Sequence, residues 1–422
     1  MKKVLFISYF WPPSGKASLH WPLDIIRYLP KDKIEPIILT VEEETFTQKD
    51  ESLLSNVDSN WRIIKSKALE PFNLYRMFIG KTKNEKLKSS ETISTENKKL
   101  THRIALWIRL NLFIPDARVG WNITAFKTAN KFISKEKIDA VVSIGPPHSS
   151  HLIGLKLSKK FNIPHIPVLI DPWVDIVYYK NLKRSIITKR VDNQFEKSVL
   201  QNAEQVVFVT KSTEEDYLNK YSFLKNKTIV LYWGYDEDDF KDVKIEKTGK
   251  DEKIIVHAGN LFSYQNPKNF WKQIKFENAN GNKFKIRFIG SVDTQVLDYL
   301  KEIDLIDKVE LAGFLPYSEM IKQICEADIL LVCSSEPRHV PGKLFEALRT
   351  GNPIIAFGDN NEEVKKIIKN ANAGMMFGYD ESGEEFLEGL DKIKPDHNFV
   401  TKFNRTEISK AFYQTLGKII YG

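Results

Sequence analysis

Cysteine is nearly absent from this sequence of 422 residues, which holds only Cys325 and Cys333. They are not spaced as C-x-x-C, so the sequence excludes a disulfide-stapled scaffold and a thiolate zinc site. We expect both thiols to serve packing in a reducing compartment. No apolar run reaches the about 18 residues of a spanning helix. The apolar start of the chain ends at Pro12 and Pro13 without a small-residue cleavage site, which indicates a strand rather than a signal peptide.

The sequence also lacks the glycine patterns of two large nucleotide-binding classes. Neither G-x-G-x-x-G nor a Walker A sequence is present, so dehydrogenase and P-loop interpretations lose their main support. Low-complexity segments and short-period repeats are missing too, which argues against fibrous and solenoid classes. The remaining composition, 42% hydrophobic and 28% charged, is that of an ordinary folded protein.

The formal net charge of +8 is the one compositional oddity. It suits nucleic acid, an anionic membrane or phosphorylated small molecules. We expect no nucleic-acid partner, because no recognised module and no basic stripe with interleaved aromatics is found. Between residues 81 and 109, eight Lys or Arg stand against three Glu, and the segment leads into an apolar stretch, 100–115, that carries Trp107. This pattern is typical of peripheral contact with an anionic bilayer, and a surface insertion packed on the first domain is the alternative.

Short β-branched or aromatic runs alternate with segments of helical period, and the rhythm occurs twice. This predicts an α/β fold with two doubly wound, mostly parallel sheets and a ligand site in the cleft between two facing domains. The acid- and lysine-rich segment 234–251 is the predicted connection. The predicted strands are 4–8, 36–40, 139–144, 165–170, 205–209 and 228–231, then 253–257, 285–289, 309–311, 329–332, 353–356 and 374–376. Predicted helices include 319–326, 343–350 and 362–370.

Three loops after predicted strands of the first set carry polar candidates. Gly15 and Lys16 precede a predicted helix, where backbone and a helix amino terminus favour an anion, although a turn glycine beside a solvated lysine fits equally. His148 and His151 follow the strand 139–144, where a neutral imidazole can bind a sugar hydroxyl or move a proton, and His151 fits a packing role as well. Asp171 follows the strand 165–170 and is either an acid–base group or a turn former.

The stretch 334–353 is the most informative part of the sequence. It combines a strand end, a polar loop with Pro341 and Gly342, a short helix and a glycine stop. Ser335, Gly342 and Lys343 stand where a helix amino terminus would meet a diphosphate. Glu346 follows one turn later, where a carboxylate would accept two hydrogen bonds from a ribose diol.

Several short motifs follow one another in an order typical of one enzyme family. They are Tyr9-Phe10-Trp11-Pro12-Pro13-Ser14-Gly15, Gly145-Pro146-Pro147-His148-Ser149-Ser150-His151, Asp171-Pro172-Trp173, Ala258-Gly259-Asn260-Leu261, Gly313-Phe314-Leu315-Pro316 and Pro341-Gly342-Lys343-Leu344-Phe345-Glu346. By these motifs the chain resembles, over nearly its whole length, glycosyltransferase family 4. These are GT-B enzymes that build bacterial surface polysaccharides and glycolipids.

The resemblance implies two Rossmann-like domains, with acceptor binding in residues 1–235 plus 405–422 and donor binding in residues 236–404. The last helix would cross back to the first domain. The resemblance implies a donor site in which Phe314 and Leu315 face the base, Glu346 the ribose, and Lys343, Ser335 and Gly342 the phosphates, with Gly15 and Lys16 closing on the diphosphate. Further donor-site positions by motif are Asn260 and Gln265 (where the family often has Arg and Lys), Glu336, Arg338 (where it often has Glu) and Leu344.

The function that follows is a retaining transfer of a sugar from a nucleotide-sugar to a saccharide or lipid-linked saccharide. His148, His151 and Asp171 are the candidate catalytic residues on the acceptor side. No metal or other cofactor is expected. In the family the leaving phosphate assists deprotonation of the acceptor, so the resemblance implies that no dedicated carboxylate base is required. We expect a cytoplasmic protein that contacts the inner face of the cytoplasmic membrane. Another GT-B activity, such as sugar-nucleotide epimerisation, and non-catalytic sugar-nucleotide binding are the alternatives.

Overall fold

The computed structural model describes residues 1–69, 100–176, 182–243 and 252–422, and it divides the chain into two compact units. Domain 1 comprises Met1–Leu231 and Ser409–Gly422, and domain 2 comprises Tyr232–Ile408. The boundaries thus lie four residues from the predicted 235 and 404. The shift has a physical cause: the Tyr235 N–H donates to the Phe403 carbonyl, and the Arg405 N–H donates to the Tyr235 carbonyl, both at 2.9 Å. Residues 244–251 of the predicted connection lie outside the described residues.

The strands described in domain 1 form one parallel sheet in the order β3-β2-β1-β4-β5-β6-β7. They are Lys2–Ile7 (β1), Ile34–Val41 (β2), Arg62–Ser66 (β3), Ala140–Gly145 (β4), His165–Leu169 (β5), Val206–Phe208 (β6) and Thr228–Val230 (β7). All of these except β3 match predicted strands. The sequence did not predict β3 because this edge strand is only partly buried and includes Arg62 and Lys65, so it shows no clean apolar pattern.

Helices cover the domain 1 sheet and bury its apolar faces. They are His20–Arg27 (α1), Leu100–Leu112 (α2), Trp121–Ile133 (α3), Ser149–Phe161 (α4), Ile186–Gln201 (α5) and Lys211–Lys220 (α6). Trp121 of α3 and Leu157 of α4 are fully buried in one cluster with Leu5 and Val141 of the central strands. Such continuous apolar strands are typical of parallel sheets that are covered on both faces.

Domain 2 holds a second parallel sheet, in the order β10-β9-β8-β11-β12-β13 among its described residues. Its strands are Lys253–Ala258 (β8), Phe284–Ile289 (β9), Val309–Gly313 (β10), Ile329–Cys333 (β11), Ile354–Phe357 (β12) and Gly374–Phe377 (β13). Its helices are Lys268–Ala279 (α7), Thr294–Glu302 (α8), Tyr317–Glu326 (α9), Lys343–Thr350 (α10), Glu362–Asn370 (α11), Glu384–Glu388 (α12) and His397–Thr401 (α13). Leu330 and Val332 of β11 enter one core cluster, and Leu331 enters the other.

The final helix, Arg405–Tyr421 (α14), begins in domain 2 and returns to domain 1 at Ser409. Within domain 1, the Ser409 hydroxyl donates to the Ile25 carbonyl at 2.7 Å. Phe412 is fully buried and its ring centre lies 6.4 Å from that of Phe6. These contacts confirm the predicted return of the last helix.

Both sheets reverse their strand order in the middle, between β1 and β4 and between β8 and β11. In open α/β sheets ligands bind outside the carboxyl ends of the strands at such a reversal. The loops that follow β8 and β11 in domain 2, and β1 and β4 in domain 1, are therefore where functional side chains are to be sought.

Candidate active site

Lys343 is the central charged side chain at the carboxyl edge of the domain 2 sheet. It is the first residue of α10, and Gly342 is the N-cap. Leu344, Phe345 and Leu348 anchor this helix in the core and so fix where it starts. The half-buried Lys343 lies with its Nζ 3.4 Å from Nε2 of His257. Burial lowers the pKa of Lys343, because the ammonium has lost part of its hydration.

His257 has its tautomer set by a second contact. It is fully buried in β8, and its Nδ1 lies 3.0 Å from the Leu331 carbonyl oxygen. A carbonyl only accepts, so Nδ1 carries the hydrogen and Nε2 presents a lone pair to the Lys343 ammonium. Burial, and secondarily the charge of Lys343, lower the pKa of His257 to about 3. The imidazole is therefore neutral at physiological pH and works as a hydrogen-bond acceptor.

The absence of a side chain at Gly259 leaves space for the Lys343 side chain. A Cβ at this position would lie 2.5 Å from Lys343 Nζ, and the backbone φ is +119°, a conformation that side-chain-bearing residues rarely adopt. The ammonium thus lies over bare backbone directly after β8. This is the arrangement in which a lysine and nearby N–H groups receive an anion.

Asn361 holds the loop that follows β11. Its buried side-chain amide nitrogen lies 2.7 Å from Ser334 Oγ, 2.9 Å from the Glu336 carbonyl oxygen and 2.8 Å from the His339 carbonyl oxygen. Its Oδ1 accepts from the Val364 N–H at 3.1 Å and so caps α11. One side chain therefore shapes the loop 334–339 and starts a helix. The sequence analysis missed this role, for which an asparagine one residue before a helix is the only signal.

The predicted polar positions of this loop are accessible. Ser335 and Arg338 are exposed and Glu336 is half-buried. The Ser335 hydroxyl lies 2.9 Å from Nδ1 of the neighbouring His339. The loop therefore presents polar groups at the same edge of the sheet as Lys343.

Glu346 lies one turn beyond Lys343 and is paired with a residue that the sequence did not indicate. The Tyr317 hydroxyl, at the start of α9, donates to Glu346 Oε1 at 2.7 Å and lies 3.3 Å from Asp239 Oδ2. Burial and the nearby Asp236 raise the pKa of Asp239 to about 6. Tyr317 thus fixes one oxygen of the carboxylate that is predicted to bind the ribose.

The loop between β10 and α9 carries the residues predicted to face the base. Phe314 is 82% exposed, and Leu315 is half-buried against the core. The backbone turns sharply at Gly313, where φ is +67°. An aromatic side chain this exposed leaves the loop open to a planar partner.

Three of the predicted donor contacts have partners inside domain 2. Leu344 is fully buried in the core and its N–H donates to the Pro341 carbonyl at 3.0 Å, so it is structural. Gln265 is buried, accepts from the Phe262 N–H at 3.3 Å and lies with its amide nitrogen 3.4 Å from the Cys333 carbonyl oxygen. Asn260 is exposed, and its Oδ1 accepts from the Ser291 hydroxyl at 2.8 Å.

A second group of side chains surrounds the end of β4 in domain 1. Ser143 Oγ lies 2.8 Å from Nδ1 of His151 and 2.7 Å from Nε2 of His165, so one hydroxyl joins two imidazoles. The ring of His148 stacks on Trp173 at 5.2 Å. A Cβ on Gly145 would lie 2.4 Å from His151 Nε2, which explains the glycine there.

The candidate catalytic residues of domain 1 differ in how far their side chains are exposed to solvent. His151 is fully buried and His148 is 5% exposed, and burial lowers the pKa of both, to about 3 for His148. In this conformation His151 therefore supports the loop rather than reaching a substrate. Asp171 is half-buried, and its loop is tied to the first one because the Ile170 N–H donates to the Gly145 carbonyl at 2.9 Å.

Gly15 and Lys16 are partly exposed in the loop after β1. The Gly15 N–H donates to the Gln48 carbonyl at 2.9 Å, and a Cβ at this glycine would lie 3.0 Å from the Gln48 side chain. The loop is thus held by residues 48–50, and the Gly15 N–H has a protein partner.

The predicted membrane segment is described only in part. Residues 81–99 lie outside the described residues. Helix α2 presents Ile104, Trp107 and Leu112, which are 47%, 52% and 63% exposed, whereas Leu110 is buried. None of the helices in the described ranges has the length and apolarity required to cross a bilayer.

Solved structures share the fold over the whole chain. Sucrose-phosphate synthase from Thermosynechococcus elongatus aligns with a TM-score of 0.64 and 13% identity, covering 99% of both chains. Anabaena HepE in complex with UDP aligns with a TM-score of 0.63 and 10% identity, covering 99% of this chain and all of HepE. UDP-GlcNAc 2-epimerase from Methanocaldococcus jannaschii aligns with a TM-score of 0.55 and 15% identity over 100% of both chains. The protein therefore has the two-domain GT-B fold.

Sequence comparison matches domain 2 to a known family. Residues 238–409 match the family model described as glycosyl transferases group 1. A comparison with curated proteins gives no match. The matched range contains β8 to β13 and every donor-site residue of domain 2 described above. Domain 2 thus carries the match to glycosyl transferases group 1, and the protein is a glycosyltransferase.

Proposed function

We propose that the protein is a retaining glycosyltransferase of family 4 that takes a sugar from a nucleotide-sugar donor. The observation that carries the proposal is the half-buried Lys343 ammonium over the bare backbone of Gly259, at the strand-order reversal of a glycosyltransferase domain. A diphosphate is the anion that a nucleotide-sugar presents to such a lysine. HepE, a structural neighbour, is described in complex with UDP, which agrees with this donor class.

The roles of the domain 2 residues follow from their chemistry. When the bond between the anomeric carbon and the phosphate oxygen breaks, negative charge grows on the diphosphate, and Lys343 stabilises that charge. The stabilisation is strong because the ammonium is partly desolvated and already in place. Removing one such preorganised group costs about 10²- to 10³-fold in kcat in comparable sites. Glu346, oriented by Tyr317, accepts hydrogen bonds from the ribose hydroxyls.

Retention follows if the acceptor attacks from the face that the diphosphate leaves. An oxygen of the leaving diphosphate then takes the proton of the acceptor hydroxyl, so no dedicated carboxylate base is required. Asp171, half-buried after β5, is the proposed contact for the acceptor, and His148 and His151 shape the neighbouring loop. Positioning and charge stabilisation supply the catalysis.

The proposed acceptor is a saccharide or lipid-linked saccharide of the cell surface, met at the inner face of the cytoplasmic membrane. The support is the net excess of five positive charges between residues 81 and 109 together with the exposed Ile104, Trp107 and Leu112 of α2. Tryptophan and aliphatic side chains beside lysines suit an anionic bilayer surface. Sedimentation with phosphatidylglycerol vesicles tests this: deletion of residues 81–99 should abolish binding, and undiminished binding would refute the membrane contact.

The enzymatic proposal is tested by turnover. UDP-glucose, UDP-N-acetylglucosamine and GDP-mannose are each incubated with the protein and a lipid-linked saccharide acceptor panel, and both nucleoside diphosphate release and product mass are measured. A product with a new glycosidic bond whose anomeric configuration equals that of the donor supports the proposal. Loss of turnover in Lys343→Ala and Glu346→Ala shows that the reaction takes place at the site formed by these residues. An isomerised donor without a new glycosidic bond would indicate an epimerase, and donor binding without turnover a silent binder; either result overturns the proposal.

A further inference from the structure

An exposed aromatic pair stands in the loop after β8. The rings of Phe262 and Tyr264 stack in parallel, 5.6 Å apart with an interplanar angle of 3°, and the residues remain 46% and 60% exposed. We call Phe262 and Tyr264 the aromatic platform. A parallel pair of exposed rings offers a flat apolar surface on which a ligand ring can stack.

The platform is held by its own turn. Residues Ser263–Gln265 form a 3-10 turn, and the Gln265 N–H donates to the Phe262 carbonyl at 2.9 Å. The buried Gln265 side chain accepts from the Phe262 N–H and reaches the Cys333 carbonyl at the end of β11. Gln265, the residue that replaces a predicted phosphate ligand, thus anchors the platform to the sheet. A surface fixed before binding loses little entropy when a ligand arrives.

The platform lies beside the proposed donor groups. Phe262 follows Gly259 by three residues, a span of at most about 10 Å even for fully extended chain. The Gln265 amide nitrogen lies 3.4 Å from the carbonyl oxygen of Cys333, the last residue of β11, so the turn of the platform contacts the strand that leads into the loop 334–339. The Tyr379 hydroxyl donates to the Ser334 carbonyl at 2.7 Å and fixes the start of that loop.

We propose that the aromatic platform binds the pyranose ring of the donor sugar. This inference rests on the proposed function. The C–H face of a pyranose carries partial positive charge and fits the negative face of an aromatic ring. Ribose is assigned to Glu346 and the diphosphate to Lys343, so the sugar that follows the diphosphate is the part left for the platform.

The test separates recognition of the sugar from recognition of the nucleotide. Titration calorimetry on the full chain compares UDP with UDP-glucose and GDP with GDP-mannose. Phe262→Ala and Tyr264→Ala should weaken binding of the sugar-bearing ligand about fivefold or more and change binding of the bare nucleoside diphosphate less than about twofold. Tyr264→Phe keeps the ring and should match the wild type. Phe276→Ala, an equally exposed phenylalanine on α7, controls for truncating a surface aromatic.

The outcomes distinguish the two proposals. If the wild type binds none of these nucleotides or nucleotide-sugars, the proposed function fails and the platform proposal with it. If the wild type binds them but the alanine variants lose both ligands of a pair equally, the rings stack on the base and the platform proposal is wrong. Unchanged binding of both ligands also overturns it. Greater loss for the sugar-bearing member alone confirms it.

Discussion

The ammonium of Lys343 lies 3.4 Å from Nε2 of His257, a residue 86 positions earlier in the chain. The Leu331 carbonyl holds Nδ1 of the same ring, so the imidazole can only accept from the lysine. His257 is therefore a positioning residue for the group that we expect to meet the donor diphosphate.

The first prediction concerns His257→Asn. The asparagine amide can still donate to the Leu331 carbonyl, but it cannot reach Lys343, so the lysine loses its acceptor. We expect the affinity for nucleoside diphosphate, measured by calorimetry, to fall about three- to tenfold, because this is the free-energy contribution of about one hydrogen bond. The pH at which affinity declines on the alkaline side should also fall, because the Lys343 ammonium loses the acceptor that favours its charged form and its pKa drops further. If affinity declines at the same alkaline pH in the variant and the wild type, His257 has only a packing role.

The second prediction compares two glycines with positive φ. Gly259→Ala strains the backbone and places a methyl group 2.5 Å from Lys343 Nζ, whereas Gly281→Ala strains the backbone with nothing within 4 Å. Both changes should lower the free energy of unfolding by about 1–2 kcal/mol. Only Gly259→Ala should lower kcat/KM, by about tenfold or more. Equal activity of the two variants would show that the close approach of Lys343 to this backbone has no function.

The third prediction separates the two roles of Asn361. Asn361→Asp keeps an oxygen to cap α11 but replaces the amide donor that faces Ser334 and the Glu336 carbonyl with an acceptor. The helix should stay formed by circular dichroism, while KM for the donor rises because the loop 334–339 loses its shape. Asn361→Ala should in addition cost about 1 kcal/mol of stability from the lost cap. A normal KM in the aspartate variant would refute the role of Asn361 in shaping this loop.

The fourth prediction follows from the buried histidines of domain 1. Burial lowers the pKa of His165 to about 3, below the about 6.5 of an unfolded histidine. Between these values only the unfolded state binds the proton, so stability is lost as pH falls from about 6.5 towards 3, by about 1.4 kcal/mol per pH unit for each such histidine. Urea unfolding of His165→Gln at pH 7.5 and 5.5 should show a shallower pH dependence than the wild type. The exposed His397→Gln should leave the slope unchanged, and equal slopes in all three proteins would contradict the prediction.

The fold could be predicted from the sequence because its signals are local. Helices 343–350 and 362–370 match their predicted bounds, since each has a cap or glycine punctuation and an apolar stripe. Strand β3 could not be predicted, because a short edge strand with two isoleucines between Arg62 and Lys65 carries no such signal.

The donor site was only partly predictable, for a different reason. Lys343 and Glu346 stand in a recognisable motif, but their partners do not. His257 belongs to another strand, Tyr317 to another helix and Asn361 to a later loop, so each pairing exists only after the sheet has formed. The partners of Gln265 were not predictable either, because its amide contacts the Phe262 N–H and the Cys333 carbonyl of a strand 68 residues later.

The most direct test of the central claim is calorimetric titration of the full chain with UDP and with GDP, comparing the wild type with Lys343→Met. The methionine keeps the length of the side chain and removes its charge, and Lys272→Met, at an exposed position of α7, controls for a change of net charge. The account predicts that the wild type binds one of these nucleotides and that Lys343→Met weakens this binding about 10- to 100-fold, whereas Lys272→Met does not. Equal affinity of the wild type and Lys343→Met would contradict it.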